Sequence, residues 1–167
     1  LHESGNSQDC KARIRQAQDL AQHALQQARA LVWKLREEPA EQLSLVDALR
    51  DEVVAFQAKS GIQADLIVIG RAYEVPERVQ HHLLRLLNEA LSNVYRHAHA
   101  TQAVIRLAFA DRGVEMIVRD DGIGFDVEQK VNHGHFGLIG MRARARLMEV
   151  TFSIESAPGH GTQIRVR

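Results

Sequence analysis

Cysteine, proline and aromatic side chains are all scarce in this chain: one Cys, three Pro and 5% Phe, Trp and Tyr among 167 residues. The single Cys10 has no partner for an internal disulfide, and without a cysteine cluster the thiol usage points to a reducing compartment. Net charge is absent too. With 21 basic residues against 21 acidic ones, no whole-chain field draws the protein to nucleic acid or to an anionic membrane. Long apolar runs are also missing: the stretch from Leu66 to Ile69 is far too short to cross a bilayer, and the N-terminus lacks the basic-then-apolar order of a signal peptide. A soluble, cytoplasmic chain with no direct nucleic-acid contact is expected. Because residue 1 is leucine, we expect a fragment of a longer protein, with any membrane attachment upstream.

A composition of 45% apolar and 25% charged residues suits one compact domain plus one extra element. Residues 1–10 read as a flexible polar segment. From 11 to 38 there is a long stretch without glycine, in which Ile14, Ala17, Ala21, Ala24, Ala28, Leu31 and Leu35 recur at steps of three and four. That spacing predicts a helix whose small-residue stripe suits a partner helix in a bundle. Pro39 ends it, and the remainder, 40–167, reads as a domain of its own.

Within that domain the spacing predicts a helix over 43–59, with Val46, Leu49, Val53 and Phe56 on one face and Gly61 as its stop. A strand follows at 65–70. Pro76 suits the first turn of a helix running to about Ala98, which buries Val79, Leu83, Leu86, Ala90, Val94 and Ala98. Ile105, Leu107 and Phe109, then Val114, Met116 and Val118, alternate on either side of Asp111-Arg112-Gly113, which predicts a hairpin. A helix over 138–148 and strands near 150–155 and 162–166 complete an α+β pattern.

Four blocks carry candidate chemistry. Glu89, Asn93, Arg96 and His97 recur at helical spacing, so a polar stripe interrupts the 76–98 helix. An asparagine carbonyl is a hard oxygen ligand suited to Mg²⁺, and arginine and histidine can donate to phosphate; a solvated helix face is the plainer alternative. Asp120 closes a strand and is followed by Gly122 and Gly124, leaving room for a flat ligand whose exocyclic amine the carboxylate accepts; a simple hairpin turn is the alternative. Gly134, Gly137 and Gly140 surround a helix start, where free N–H groups suit an anion, and residues 127–133 before them read as a mobile closing loop. Gly159-His160-Gly161-Thr162 is the last block. Among the nine histidines, the pairs His97/His99 and His133/His135 lack a completing ligand set, so no structural zinc is expected.

In this order the blocks resemble the ATP-binding domain of sensor histidine kinases, within the GHKL ATPase superfamily. Residues 88–98 (Asn-Glu-Ala-Leu-Ser-Asn-Val-Tyr-Arg-His-Ala) resemble the N box, 120–124 the G1 box, 134–141 the G2 lid and 159–162 the GxGT box. The likeness covers about 43–167. The wording Arg96-His97-Ala98 and Gly140-Met141-Arg142-Ala143-Arg144 is similar to the subfamily paired with LuxR-type response regulators. Leu31 to Arg36 then resembles the end of that group's second dimerisation helix.

The resemblance implies a Bergerat fold, a two-layer α/β sandwich with a mixed sheet, preceded by a dimerisation-type helix. It implies Mg²⁺-ATP as cofactor, Asn93 on the metal with Glu89 beside it through water, and Arg96 and His97 on phosphates. Asp120 reads the adenine amine, Gly122 and Gly124 shape its pocket, and Thr162 supports it. Gly134, Gly137, Leu138 and Gly140 belong to the phosphate lid. The implied partners are a response-regulator receiver domain and, in the intact parent, a second copy of the chain.

The family's acceptor, a histidine followed directly by an acid, is absent. His23 precedes Ala24 and Leu25, so it reads as a surface or seam residue, and the phosphorylated histidine is expected outside this chain. Three other readings compete. One is an ATP hydrolase using Glu89 as base, another an anti-sigma-type serine kinase, and the third a nucleotide-binding module without turnover.

Overall fold

In the computed structural model, the described residues are 44–111, 113–127, 136–147 and 149–167, all within the unit Leu43–Arg167. The long helix expected at 11–38, with Cys10 and His23 nearby, lies outside them. So do Gly134, His133, His135 and all but the first residue of the expected closing loop.

The first helix, α1, spans Leu45–Ser60. Ser44 caps it, its Oγ accepting from Asp47 N at 3.3 Å, so an otherwise orphaned N–H of the first turn is satisfied. Gly61 ends it in the left-handed conformation at φ 71°, its N–H donating to Gln57 O at 2.9 Å. Strand β1 is Gln63–Ile69. Helix α2 covers Glu77–Asn93 and continues as a single wider π turn over Val94–Ala98. The expected end at Ala98 therefore holds, but the last turn is not α-helical, and Pro76 stands at the cap rather than inside the first turn.

The hairpin forms as β2, Gln102–Ala110, and β3, Gly113–Asp120, with Ala110 opposite Gly113. Helix α3 is Phe136–Leu147, and β4, Phe152–Ser156, and β5, Thr162–Val166, close the chain. The five strands lie in the order β1-β2-β3-β5-β4. Only β1 and β2 run parallel; the other neighbours are antiparallel. A parallel pair needs a long crossover, and here α2 supplies it.

One face of the sheet carries the core. Ala103, Ile105, Leu107 and Phe109 of β2 are buried, alternating with more exposed residues, and Met116 and Val118 of β3 join Ile164 and Val166 of β5. Against them pack Leu49 and Val53 of α1, Leu83, Leu86, Leu87, Ala90 and Leu91 of α2, and Leu138 and Met141 of α3. Burial of each such leucine stabilises the fold by about 1.5–3 kcal/mol. Leu87 has no exposed surface and lies two residues before Glu89 on α2. Leu87→Ala is expected to lower stability by about 2–5 kcal/mol, read as a fall in the urea midpoint with unchanged slope.

Candidate functional site

The Asp120–Gly124 loop, the end of α2 and the Gly159–Thr162 block meet at the ends of β3 and β5, and the described start of α3 lies against Glu89 and Asn93 of α2. Asp120 is the last residue of β3 and pairs with Thr162, the first of β5, which in turn pairs with Ser156 at the end of β4. After Asp120 the chain leaves the sheet and passes between two other backbones. On one side Ile123 N donates to Ala98 O at 2.8 Å. A Cβ at Gly122 would overlap the Ala98 carbonyl and methyl, so only glycine permits this approach. On the other side Gly159 N donates to Ile123 O at 2.6 Å. Gly124, at φ 59°, lies where a Cβ would meet the carbonyls of Ala157 and Gly161. The loop is thus stitched to the end of α2 and to the β4–β5 turn.

Asp120 is only 7% exposed, the one buried charged side chain among the described residues. Burial pushes its carboxyl above the ordinary aspartate range, and the N–H groups of Gly122 and Thr162 oppose that shift without cancelling it. The Gly122 N–H donates to Oδ1 at 2.9 Å. A carboxylate has about four lone-pair sites, so acceptor capacity remains at a position where it is scarce.

Asp121, its neighbour, behaves oppositely. Its carboxylate accepts from Thr101 Oγ1 at 2.5 Å, from Thr101 N at 2.9 Å and from Gln102 N at 2.9 Å. Those bonds, the Thr101 hydroxyl first, hold its carboxyl below the usual value of 3.8. This side chain binds no core. It ties the start of β2 to the loop after β3.

Glu89 and Asn93 are half-buried and face the start of α3: a Cβ at Gly137 would meet Glu89 Oε1, with Asn93 Nδ2 at 3.7 Å. Arg96 and His97 lie on the π turn and are exposed. The wider turn carries more residues per rotation than an α-helix, so Arg96 and His97 do not continue the 3.6-residue stripe on which Glu89 and Asn93 lie. Leu138 is buried in the core. Gly140 has open space where a Cβ would stand, so packing among the described residues gives no reason for glycine there.

Sequence reasoning missed two residues. Ser156 falls between the expected strand end at 155 and the turn at 157–161, yet its Oγ accepts from Phe125 N at 2.9 Å and contacts Gly161 O at 2.9 Å and Thr162 Oγ1 at 3.0 Å. A hydroxyl residue at a strand end beside a Pro-Gly turn was the available signal. Ile123 is 54% exposed at the loop tip, an apolar side chain left bare between two glycines.

Two outcomes follow from this geometry. Gly122→Ala is expected to destabilise the fold by more than about 2 kcal/mol, because the obstructing atoms are backbone, whereas Gly140→Ala is neutral or stabilising by up to about 1 kcal/mol; thermal unfolding of the two variants checks the contrast. Asp121, whose folded pKa lies below its unfolded one, contributes stability that is fully present above pH 3.8 and is lost as the pH falls through the folded value. Asp121→Ala should therefore unfold at lower urea than the parent sequence at pH 7, with the gap closing below pH 3.8.

Comparison with known proteins supplies the lineage. Residues 78–167 match the family described as histidine kinase-, DNA gyrase B-, and HSP90-like ATPase. The chain is 31% identical over 163 residues to the signal transduction histidine-protein kinase/phosphatase DegS of Brevibacillus brevis, covering 98% of this chain and 42% of that protein. It is 32% identical over 148 residues to the sensor protein VraS of Staphylococcus aureus (strain COL), covering 89% and 42%. It therefore spans less than half the length of these relatives. In fold it is similar to the ATP binding domain of PrrB from Mycobacterium tuberculosis (TM-score 0.61, 23% identity, 74% of this chain and 92% of that one). It is equally similar to the histidine kinase domain of the Erythrobacter litoralis EL346 blue-light activated histidine kinase (TM-score 0.61, 20% identity, 76% and 64%). The five-stranded mixed sheet and the family match agree with the expected GHKL architecture, and the chain belongs to the histidine kinase-, DNA gyrase B-, and HSP90-like ATPase family.

Proposed function

We propose that this chain is the ATP-binding catalytic part of a two-component sensor histidine kinase, passing the γ-phosphate of ATP to a histidine outside residues 1–167 and from there to an aspartate of a response-regulator receiver domain. The observation that carries the reading is Asp120: a buried carboxyl, raised by burial and only partly satisfied by backbone donors, gains most from a ligand that brings an N–H donor of its own. The adenine amine is such a donor. Gly122 and Gly124 let the loop beside its ring pack against Ala98 and the β4–β5 turn, Ile123 offers apolar surface beside it, and Thr162 adjoins Asp120 across the β3–β5 ladder.

The triphosphate then lies toward α2. Arg96 and His97, on the π turn, contact phosphate oxygens, while Gly137 and Leu138, in the first turn of α3, offer backbone N–H groups that the helix leaves unused, with Gly134 and Gly140 assigned to the same lid by the resemblance. Open space at Gly140 suits close approach of a ligand. Asn93, with Glu89 through water, is the hard-oxygen donor set that fits Mg²⁺, which when bound neutralises charge on the phosphates. The protein's part is alignment: the stitched loop fixes the base, α2 fixes the phosphates, and the acceptor nitrogen meets a γ-phosphate already in line. The parent acts as a homodimer on the cytoplasmic side.

A hydrolytic reading has one specific support, the Glu89 carboxylate beside Asn93 at the head of α3, where a water-activating base would stand. The two separate in one assay. With labelled Mg²⁺-ATP and the separately produced upstream histidine helix of the parent, the kinase reading expects base-stable, acid-labile label on that helix; phosphate release without it would favour hydrolysis. Asn93→Ala and Asp120→Ala are each expected to weaken Mg²⁺-ATP binding at least about tenfold while keeping the fold. Unchanged affinity by calorimetry rejects the site assignment.

A further inference from the structure

Ser156 has one proton to give and two lone pairs to offer. The carbonyl of Gly161, a buried residue, can only accept, so the 2.9 Å contact between Ser156 Oγ and Gly161 O uses the serine's proton. One lone pair takes the Phe125 N–H at 2.9 Å. The other faces Thr162 Oγ1 at 3.0 Å, and with the serine's proton already committed, the threonine must be the donor there. Thr162 thus has its proton turned away toward β4 and retains only lone pairs for anything on its other side. We propose that Ser156 is a positioning and specificity residue, fixing the Thr162 hydroxyl as a pure acceptor so that the site selects a purine bearing a 6-amino donor over one bearing a 6-oxo acceptor.

This rests on the ATP-binding reading and deepens it. Asp120, the cross-strand partner of Thr162, is an acceptor of the same kind when ionised. Two acceptors held side by side suit an exocyclic amine, or a water that passes one proton on to the ring. Against a 6-oxo group both would set lone pair against lone pair, and a freely rotating threonine hydroxyl could relieve that by turning its proton outward. Ser156 removes that freedom. Its bond to Phe125 N also fastens the loop after Gly124, so loss of Ser156 has a structural effect as well. The two effects differ in what they change. A loosened loop weakens every nucleotide together, whereas a freed hydroxyl changes the ratio between nucleotides.

The test uses the purified chain with Mg²⁺, comparing the affinities of ATP and inosine triphosphate, which carries oxygen at C6 in place of the amine. The native chain should prefer ATP. Ser156→Ala should cut that preference by about three- to tenfold, Ser156→Thr should keep it, and on a Thr162→Val background Ser156→Ala should leave the ratio where Thr162→Val put it. If Ser156→Ala does not fold, Ser156→Cys, with a weaker acceptor at the same place, gives the same comparison. A folded variant whose ATP to inosine triphosphate ratio equals that of the native chain, even with both affinities lowered, overturns the role of Ser156 and leaves ATP binding standing. A native chain that binds neither nucleotide removes both readings together.

Discussion

The loop from Asp120 to Gly124 is gripped by main chain on both sides, and that double grip is the constraint on which the rest of the site depends. Ala98 O on one flank and the Ala157 to Gly161 turn on the other leave no volume for a side chain at 122 or 124. Backbone contacts of this kind are less forgiving than side-chain packing, because neither partner can change rotamer to make room. The end of α2, the end of β3 and the start of β5 are consequently located with respect to one another by a few atoms. Any change in one of them is transmitted to the others directly.

Two adjacent carboxylates within that grip show how environment divides similar chemistry. Asp120 points into the protein and is driven upward in pKa by burial, so it is costly to keep charged and valuable as a ligand acceptor. Asp121 lies at the surface, is driven downward by three donors from Thr101 and Gln102, and is fully used in holding the chain. Sequence position separates them by one residue, and strand alternation turns them to opposite faces.

What could be read from the sequence was whatever depends on local order. The hairpin, the Gly61 stop, the crossover helix and the glycine spacing all follow from periodicity and turn chemistry, and each has its counterpart in the fold. What could not be read depends on partners distant along the chain. Asp121 meets Thr101 across 20 residues and Ser156 meets Phe125 across 31; neither pairing leaves a mark in local pattern. The π turn also escaped, because nothing in the run Val94–Ala98 sets it apart by propensity from the α-helix it continues. Asp120, Gly122, Gly124 and Thr162 lie together at the ends of β3 and β5, and Gly137 lies against Glu89 and Asn93. Arg96 and His97 belong to a turn of different pitch, and Leu138 faces the core.

The lone parallel pairing in the sheet has a kinetic consequence. β1 joins β2 side by side in the same direction, from Gln63 opposite Gln102 to Ile69 opposite Ala108, so it cannot be added by a tight turn as the hairpin strands can. The entropy of closing that long connection must be lost before any of its hydrogen bonds form. Helix α2 lies inside the connection and bears Glu89 and Asn93. Edge strand and crossover helix are therefore expected to become ordered together, after the β2–β3 hairpin. A partly folded chain in which only the hairpin and closing strands have formed has the Asp120 side of the cleft and not the Glu89 and Asn93 side.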